Sequence, residues 1–227
     1  MEQTNRSGNA RETAYRILRD KIIHLELRPG EALSDKALAE ELGMSRTPVR
    51  EALIILTTTN MVLLRPQIGT FVAPIDLGRM DMEQFARYTM EKEIISLACG
   101  AVTEELRWRY EENLRSYGHY AETPGEGTAR RLLELDNAFH RIAFEAVGRE
   151  RNYYHMLEGM LHIERLRALA LEDDAQETNL TDHRAISEAI LAADRPRAQA
   201  ALEQHLRRYQ DSIPAIRAKY PEYFTMG

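Results

Sequence analysis

Apolar residues first recur at helical spacing at Ala14, Ile17, Leu18 and Ile22, and the pattern stops near Pro29-Gly30. A second, shorter stripe of Leu38, Ala39 and Leu42 ends at Gly43, where a positive φ costs glycine little. Ser45 suits the N-cap of a third helix, Pro48 is tolerated in its first turn, and Val49, Ala52 and Leu53 make its inward face. Met61 to Leu64, then Pro66 to Gly69, then Thr70 to Val72 read as strand, turn and strand. The pattern therefore predicts three helices and a hairpin over residues 11–75, after a polar tail at 1–10 and before a linker at 76–79.

From Met80 the strand signal vanishes. Phe85, Tyr88, Ile94, Ile95 and Leu97 mark a long helix. Further helices are predicted over 103–120, 128–147, 152–171 and 179–193, with Glu172 to Thr178 as an acidic loop. Asp194 caps a last helix, with Pro196 in its first turn, that runs to about Gln210. Residues 80–215 thus read as an antiparallel all-α helical bundle, with 216–227 as a C-terminal tail. The fold class is mainly α.

Arg46, Thr47 and Arg50 are left on the outward side at the start of the third helix. A recognition helix presents side chains to the major groove from there. Arginine can fork onto guanine O6 and N7 or onto phosphate, and threonine suits phosphate or the thymine methyl. The same pattern also fits an ordinary helical hairpin with a solvated charged face. The strand pair directly behind the third helix stands where a wing would.

Those residues resemble a family. PGEALSDKALAEELGMSRTPVREAL, followed by QIGTFV, is similar to the N-terminal domain of the GntR family of bacterial transcription regulators, over about residues 11–75. The resemblance implies a winged helix-turn-helix whose DNA contacts come from Lys36, Arg46, Thr47, Arg50 and the wing around Gly69. Asn60 stands where the family usually has glycine, and asparagine also tolerates the left-handed conformation. Ile68 stands where a basic residue often precedes the wing glycine, which argues against a wing-tip arginine contact at that position.

Charge sharpens the division. The chain holds 30 Lys and Arg against 36 Asp and Glu, a net −6. Residues 1–76 carry ten of each, so the remaining 20 against 26 account for the whole −6. A neutral DNA-reading module beside an acidic domain places its basic groups locally and predicts modest non-specific affinity. No run of eighteen apolar residues suggests a membrane span. A polar N-terminus and a single cysteine, Cys99, point to the cytoplasm.

Asp136 and His140 stand four apart on one helix and share a face, which Leu132, Leu133, Leu135, Phe139 and Ala143 place at or near the core. His183 lies near the start of the fifth helix predicted for this region and His205 on the sixth, twenty-two residues later, so a hairpin can return them to nearly one height. One carboxylate and three imidazoles suit zinc, nickel, manganese, cobalt or iron. Scattered histidines are also ordinary surface or hydrogen-bonded core residues, which is how His24, His119, His155 and His162 are read.

DNAFH, DHRAISEAI and AALEQHL are similar to the FCD ligand-binding domain of FadR-subfamily GntR regulators, over about residues 80–212. The resemblance implies a divalent metal, zinc foremost, on Asp136, His140, His183 and His205 at the base of an effector pocket. It also implies Arg87 as a clamp on a carboxylate effector, so that Arg87→Ala spares the metal. An ion pair between Arg87 and Glu91 is the alternative. Asp182 stands where the family often has glutamate, a change expected to matter little. The leading expectation is a homodimeric repressor, not an enzyme, that binds a palindromic operator in double-stranded DNA and answers to a small organic or sugar acid. The alternatives are a metalloenzyme using the Asp/His site and a regulator with a purely structural metal. No HExxH or nucleophile motif supports the enzyme.

Overall fold

The computed structural model describes residues 2–172 and 176–225, with residues 2–9 described by their backbone alone. The described chain falls into two compact units. One comprises residues up to Leu77 together with those from Lys219 onward, and the other runs from Gly78 to Ala218.

In the first unit α1 (Glu2–Ile23), α2 (Asp35–Glu41) and α3 (Arg46–Thr58) form the helical part, with α1 and α2 both packed on α3. Leu18, Ile22, Val49, Ala52 and Leu56 make its core. The tail expected at 1–10 falls largely outside the described side chains: Met1 is not described, and the backbone of 2–9 continues α1. Ser34, rather than Ser45, supplies a side-chain cap: its hydroxyl accepts from Ala37 N–H, whereas Ser45 makes no such bond. Gly43 and Asn60 take the positive φ their positions ask for, +62° and +59°.

β2 (Val62–Arg65) and β3 (Gly69–Val72) form the hairpin, in register Val62↔Val72 to Arg65↔Gly69. A short β1 (Ala32–Leu33), which the two-residue apolar signal did not announce, adds to the other edge of β3. The last stretch, expected as a tail over 216–227, is instead packed as far as Thr225. Tyr223 and Phe224 are buried, and Ile75 exchanges hydrogen bonds with this segment: Ile75 N–H to Tyr223 O at 2.7 Å and Thr225 N–H to Ile75 O at 3.0 Å. Apolar side chains at Tyr223 and Phe224 give this segment something to bury, which a tail lacks.

The second unit is all helix: α4 (Leu77–Ala98), α5 (Glu104–Glu122), α6 (Thr128–Ala146), α7 (Glu150–Gly159), α8 (Leu161–Glu172), α9 (Gln176–Leu191), α10 (Arg195–Arg207) and α11 (Tyr209–Lys219). α4 begins at Leu77, inside the stretch 76–79 expected as a linker. The acidic loop expected over 172–178 narrows to 173–175, which lie outside the described residues. Asp194 caps α10 as expected, through Arg197 N–H.

α6 is the axis, touched by α5, α7 and α8, while α9 and α10 form a hairpin. α4 runs antiparallel to α10, tied by Tyr88 to Glu203 at 2.9 Å and Gln199 to Ser96 at 2.6 Å. The single helix expected over 152–171 is two. It breaks at Met160, because the Glu83 carboxylate on α4 accepts from the N–H groups of His162 and Ile163 at 2.8 and 2.9 Å and so starts α8 afresh.

Candidate functional site

The first unit presents a polar face at the start of α3. Arg46, Thr47 and Arg50 are exposed there, and Lys36 is exposed in the first turn of α2. Arg46 is already engaged: Nη2 donates to both Asp35 carboxylate oxygens, at 2.9 and 3.0 Å. Lys36 lies 4.0 Å from Glu40. Among the described residues Arg50 meets no acidic partner, which makes it the cleaner probe of this face. In the hairpin, Gly69 sits at φ +147° opposite Arg65, and Ile68 at the turn is 71% exposed. The basic group of the hairpin is Arg65, poised over the Phe71 ring at 5.3 Å. Its place at the end of a strand, just before a Pro-containing turn, was the signal available in the sequence.

In the second unit the four candidate ligands meet. Asp136 and His140 come from α6, His183 from α9 and His205 from α10, all buried, with one ligand atom from each within 4.8 Å of the others. His140 Nε2 is 3.2 Å from His205 Nε2 and 3.6 Å from Asp136 Oδ2, and His183 Nε2 is 3.4 Å from Asp136 Oδ1. Bonds of about 2.0–2.2 Å to a divalent ion place neighbouring ligand atoms roughly 3–4 Å apart, so these spacings fit.

The hydrogen bonds behind the rings strengthen the fit. His140 Nδ1 lies 2.7 Å from Glu91 Oε2, and His205 Nδ1 lies 3.4 Å from Asp182 Oδ2. A proton held on each Nδ1 leaves both Nε2 atoms as lone pairs facing each other, an arrangement that a cation between them relieves. His183 is fully buried, stacks on Phe139 at 4.0 Å between centroids, and has no hydrogen-bond partner on either ring nitrogen among the described residues. A bound divalent ion would supply Lewis acidity and a concentrated positive charge at this point.

Sequence reasoning missed most of the surrounding shell. Glu91 is shared: Oε1 accepts from Arg87 Nε at 2.6 Å while Oε2 faces His140. Arg87 therefore makes the ion pair offered as the alternative, and it also lines a cavity with Asp136 and His205 of the candidate ligand set. Arg167 on α8 donates to Asp136, to Glu164 and, at 2.8 Å, to Asn137 Oδ1. Asp182 is more consequential than expected, since it holds both His205 and Arg208, the latter through Oδ1 at 2.8 Å and through Oδ2. The cavity, about 350 Å³, is walled by Gln84, Arg87, Asp136, Arg167, His205 and Arg208, together with polar groups of α9 and α11, the Asp211 carboxylate among them.

Burial pushes His140 below the ordinary imidazole range, partly offset by Glu91, and pushes His183 and His205 well below it. Burial alone would raise Glu91, but Arg87 and His140 outweigh it and hold the carboxyl low. Each of the three imidazoles therefore takes up its proton at lower pH in the folded than in the unfolded chain. Their contribution to stability is present above the ordinary value of 6.5 and is lost as pH falls through the depressed folded values. Protein stripped of metal by a chelator is expected to lose stability below pH 6.5, by up to about 1.4 kcal/mol per pH unit for each imidazole. A urea midpoint that stays flat between pH 7 and 5.5 would contradict this.

Two family profiles match. The profile of bacterial regulatory proteins of the gntR family matches residues 10–72, and that of the FCD domain matches residues 84–208, more than half of the chain. The chain belongs to the GntR family. It is a transcription regulator with a DNA-binding winged domain followed by an FCD domain. An HTH-type regulator from an unstable DNA locus of Streptomyces ambofaciens is 33% identical over 99% of this GntR-family chain and 93% of its own. The HTH-type transcriptional repressor RspR of Escherichia coli is 27% identical over 98% and 97%. The solved structure of E. coli McbR/YncC shares the fold, with a TM-score of 0.75 at 21% identity over 93% of this chain and 98% of that one. Such relatives are transcription regulators, not enzymes. Among the described residues no helix of this GntR-family chain is long and apolar enough to cross a membrane.

Proposed function

We propose that this regulator is a cytoplasmic homodimeric repressor whose helical unit binds a divalent metal, zinc foremost, on Asp136, His140, His183 and His205. A small carboxylate binds beside it and changes operator occupancy. The observation that carries the reading is that Asp136 and His205 line the same cavity as Arg87, Arg167 and Arg208. A structural metal alone needs no such opening, and a guanidinium beside a cation suits an anion that touches both. Arg87 meets Glu91 through Nε, and among the described residues no other acceptor takes its terminal nitrogens, which suits a further acceptor in the cavity. Nickel, manganese, cobalt or iron would also suit this donor set. The acid need only prefer one arrangement of the protein by about 1–3 kcal/mol to shift operator occupancy several-fold to a hundredfold.

On the DNA side Lys36, Arg46, Thr47 and Arg50 read or grip a palindromic operator, with the wing around Gly69 adding contacts. Two-fold dimers are the commonest assemblies and match a palindrome, because one helix-turn-helix reads few bases. The test is Arg50→Ala against the operator at fixed salt, with and without the acid. A loss of about 1–3 kcal/mol, with thermal stability unchanged, is expected. Unchanged affinity would take α3 out of the reading role.

A further inference from the structure

The chain passes between the two units twice, after Leu77 into α4 and after Ala218 at the end of α11. Both of these helices wall the same cavity, α4 with Gln84 and Arg87 and α11 with Ala215 and Ile216. The two crossings are tied together at Ile75. It stands two residues before α4 and pairs with Phe224, five residues after α11.

The path from the candidate ligands to that pairing contains no slack loop. His205 stands in the last turn of α10. Arg208 N–H donates to the His205 carbonyl at 3.2 Å and Asp211 N–H to the Arg208 carbonyl at 3.0 Å, so α10 runs directly into α11. Asp182 on α9 pins this joint by gripping both His205 and Arg208. Beyond α11, Pro221–Tyr223 form a 3-10 turn, across which the Tyr220 and Tyr223 rings stack at 5.1 Å. A cation between the Nε2 atoms of His140 and His205 would draw α10 onto α6 and so fix where α11 starts. At the other end the backbone pairing is one bridge with two hydrogen bonds, from Ile75 N–H to Tyr223 O and from Thr225 N–H to Ile75 O. So short a pairing belongs to the low end of local stability, where a docked and an undocked form are open to bias.

We propose that residues 220–225 are a strap whose docking on Ile75 is coupled through α11 to metal occupancy at His205. The strap is the two-state element, the metal biases it at one end, and the DNA-binding unit receives it at the other. The proposal rests on the metal reading above and adds the arm by which that site and the DNA-binding unit sense each other.

Linkage makes the coupling reciprocal: the factor that zinc adds to docking, docking adds to zinc affinity. The test uses the full chain, with zinc affinity measured by competition against a chelating dye and amide hydrogen exchange followed with and without zinc. Zinc is expected to slow exchange at Ile75 and across Tyr223–Thr225 by about fivefold or more, with the amides of α3 unchanged. Thr225→Pro deletes the N–H that Ile75 accepts while keeping Tyr223 and Phe224, and the extended backbone of Phe224, at φ −109° and ψ 152°, accepts a following proline. It is expected to weaken zinc binding by up to the same factor, although it touches no ligand. Thr225→Ala, which keeps the N–H, is expected to bind zinc as the unaltered chain does. A strap that merely completes the DNA-binding unit would not move zinc affinity at all. Zinc binding without a change in strap exchange would overturn the proposal and leave the metal reading standing. So would equal zinc affinity in Thr225→Pro and Thr225→Ala. Failure of the unaltered chain to bind zinc would overturn both. Should Thr225→Pro unfold the DNA-binding unit, seen as lost protection in α3, the effect of zinc on exchange in the unaltered chain decides alone.

Discussion

His205→Ala is expected to strip the metal and abolish the response to the acid while leaving acid-free DNA binding largely intact. His205 presents Nε2 to the ligand cluster and is braced behind by Asp182. Loss of an outer partner alone costs about 10- to 100-fold in metal affinity, and removal of a ligand atom should exceed that. Zinc content by mass spectrometry after dialysis, and operator binding with and without the acid, read the two effects separately. The candidate DNA-contacting side chains stand in the other unit, so acid-free operator binding shows that the fold of this unit is untouched by the substitution. Full zinc occupancy in His205→Ala would remove the site as drawn. Loss of zinc with a normal response would keep the site and end the mechanism.

Glu91→Ala should be the most damaging substitution in the helical unit. The carboxylate is 2% exposed and serves Arg87 through one oxygen and His140 through the other. Removing it leaves a buried guanidinium without its counter-charge and the proposed ligand His140 without its brace. Breaking a buried pair from one side costs about 3–5 kcal/mol, and zinc affinity should drop about 10- to 100-fold as well. Arg87→Ala strands Glu91 by the same logic, so it is not expected to spare the metal as the sequence alone suggested. Urea unfolding of chelator-treated protein and zinc titration by competition measure both losses. A stability change under about 1 kcal/mol for Glu91→Ala would show that the pair is not coupled to the fold in this way.

The two-part architecture and the meeting of Asp136 and His140 with His183 and His205 were legible because most of their signals are local and the rest came with the resemblance. A helix-turn-helix is a spacing pattern, and Asp136 and His140 share one helical face by arithmetic. α4 shows where such reading goes astray. Phe85 and Leu97 marked it as a helix, yet they are 72% and 44% exposed. The inner stripe is Met80, Gln84, Arg87, Glu91, Ile94 and Ala98, at alternating spacings of three and four. Three of those six are polar, so a search for apolar periodicity passes over the stripe that builds the site. Arg167 was hidden for another reason. It reaches Asp136 from α8, and α8 exists as a separate helix only because Glu83, far away in sequence, caps its start. No local window contains that information. Asp182 was undervalued because its partners, His205 and Arg208, lie more than twenty residues on.

The pairing of Ile75 with the segment around Phe224 has a consequence for how such genes can recombine. The DNA-binding unit is written in two places, and its closing stretch follows the whole of the helical unit in sequence. A cut after Leu77 that grafts this unit onto a foreign sensor leaves the N–H and C=O of Ile75 without the partners that Tyr223 and Thr225 provide. The new sensor would have to bring a matching closing segment of its own. Shuffling between relatives is therefore simplest as an insertion, with the sensor exchanged between two fixed ends, and less simple as a fusion at a single joint.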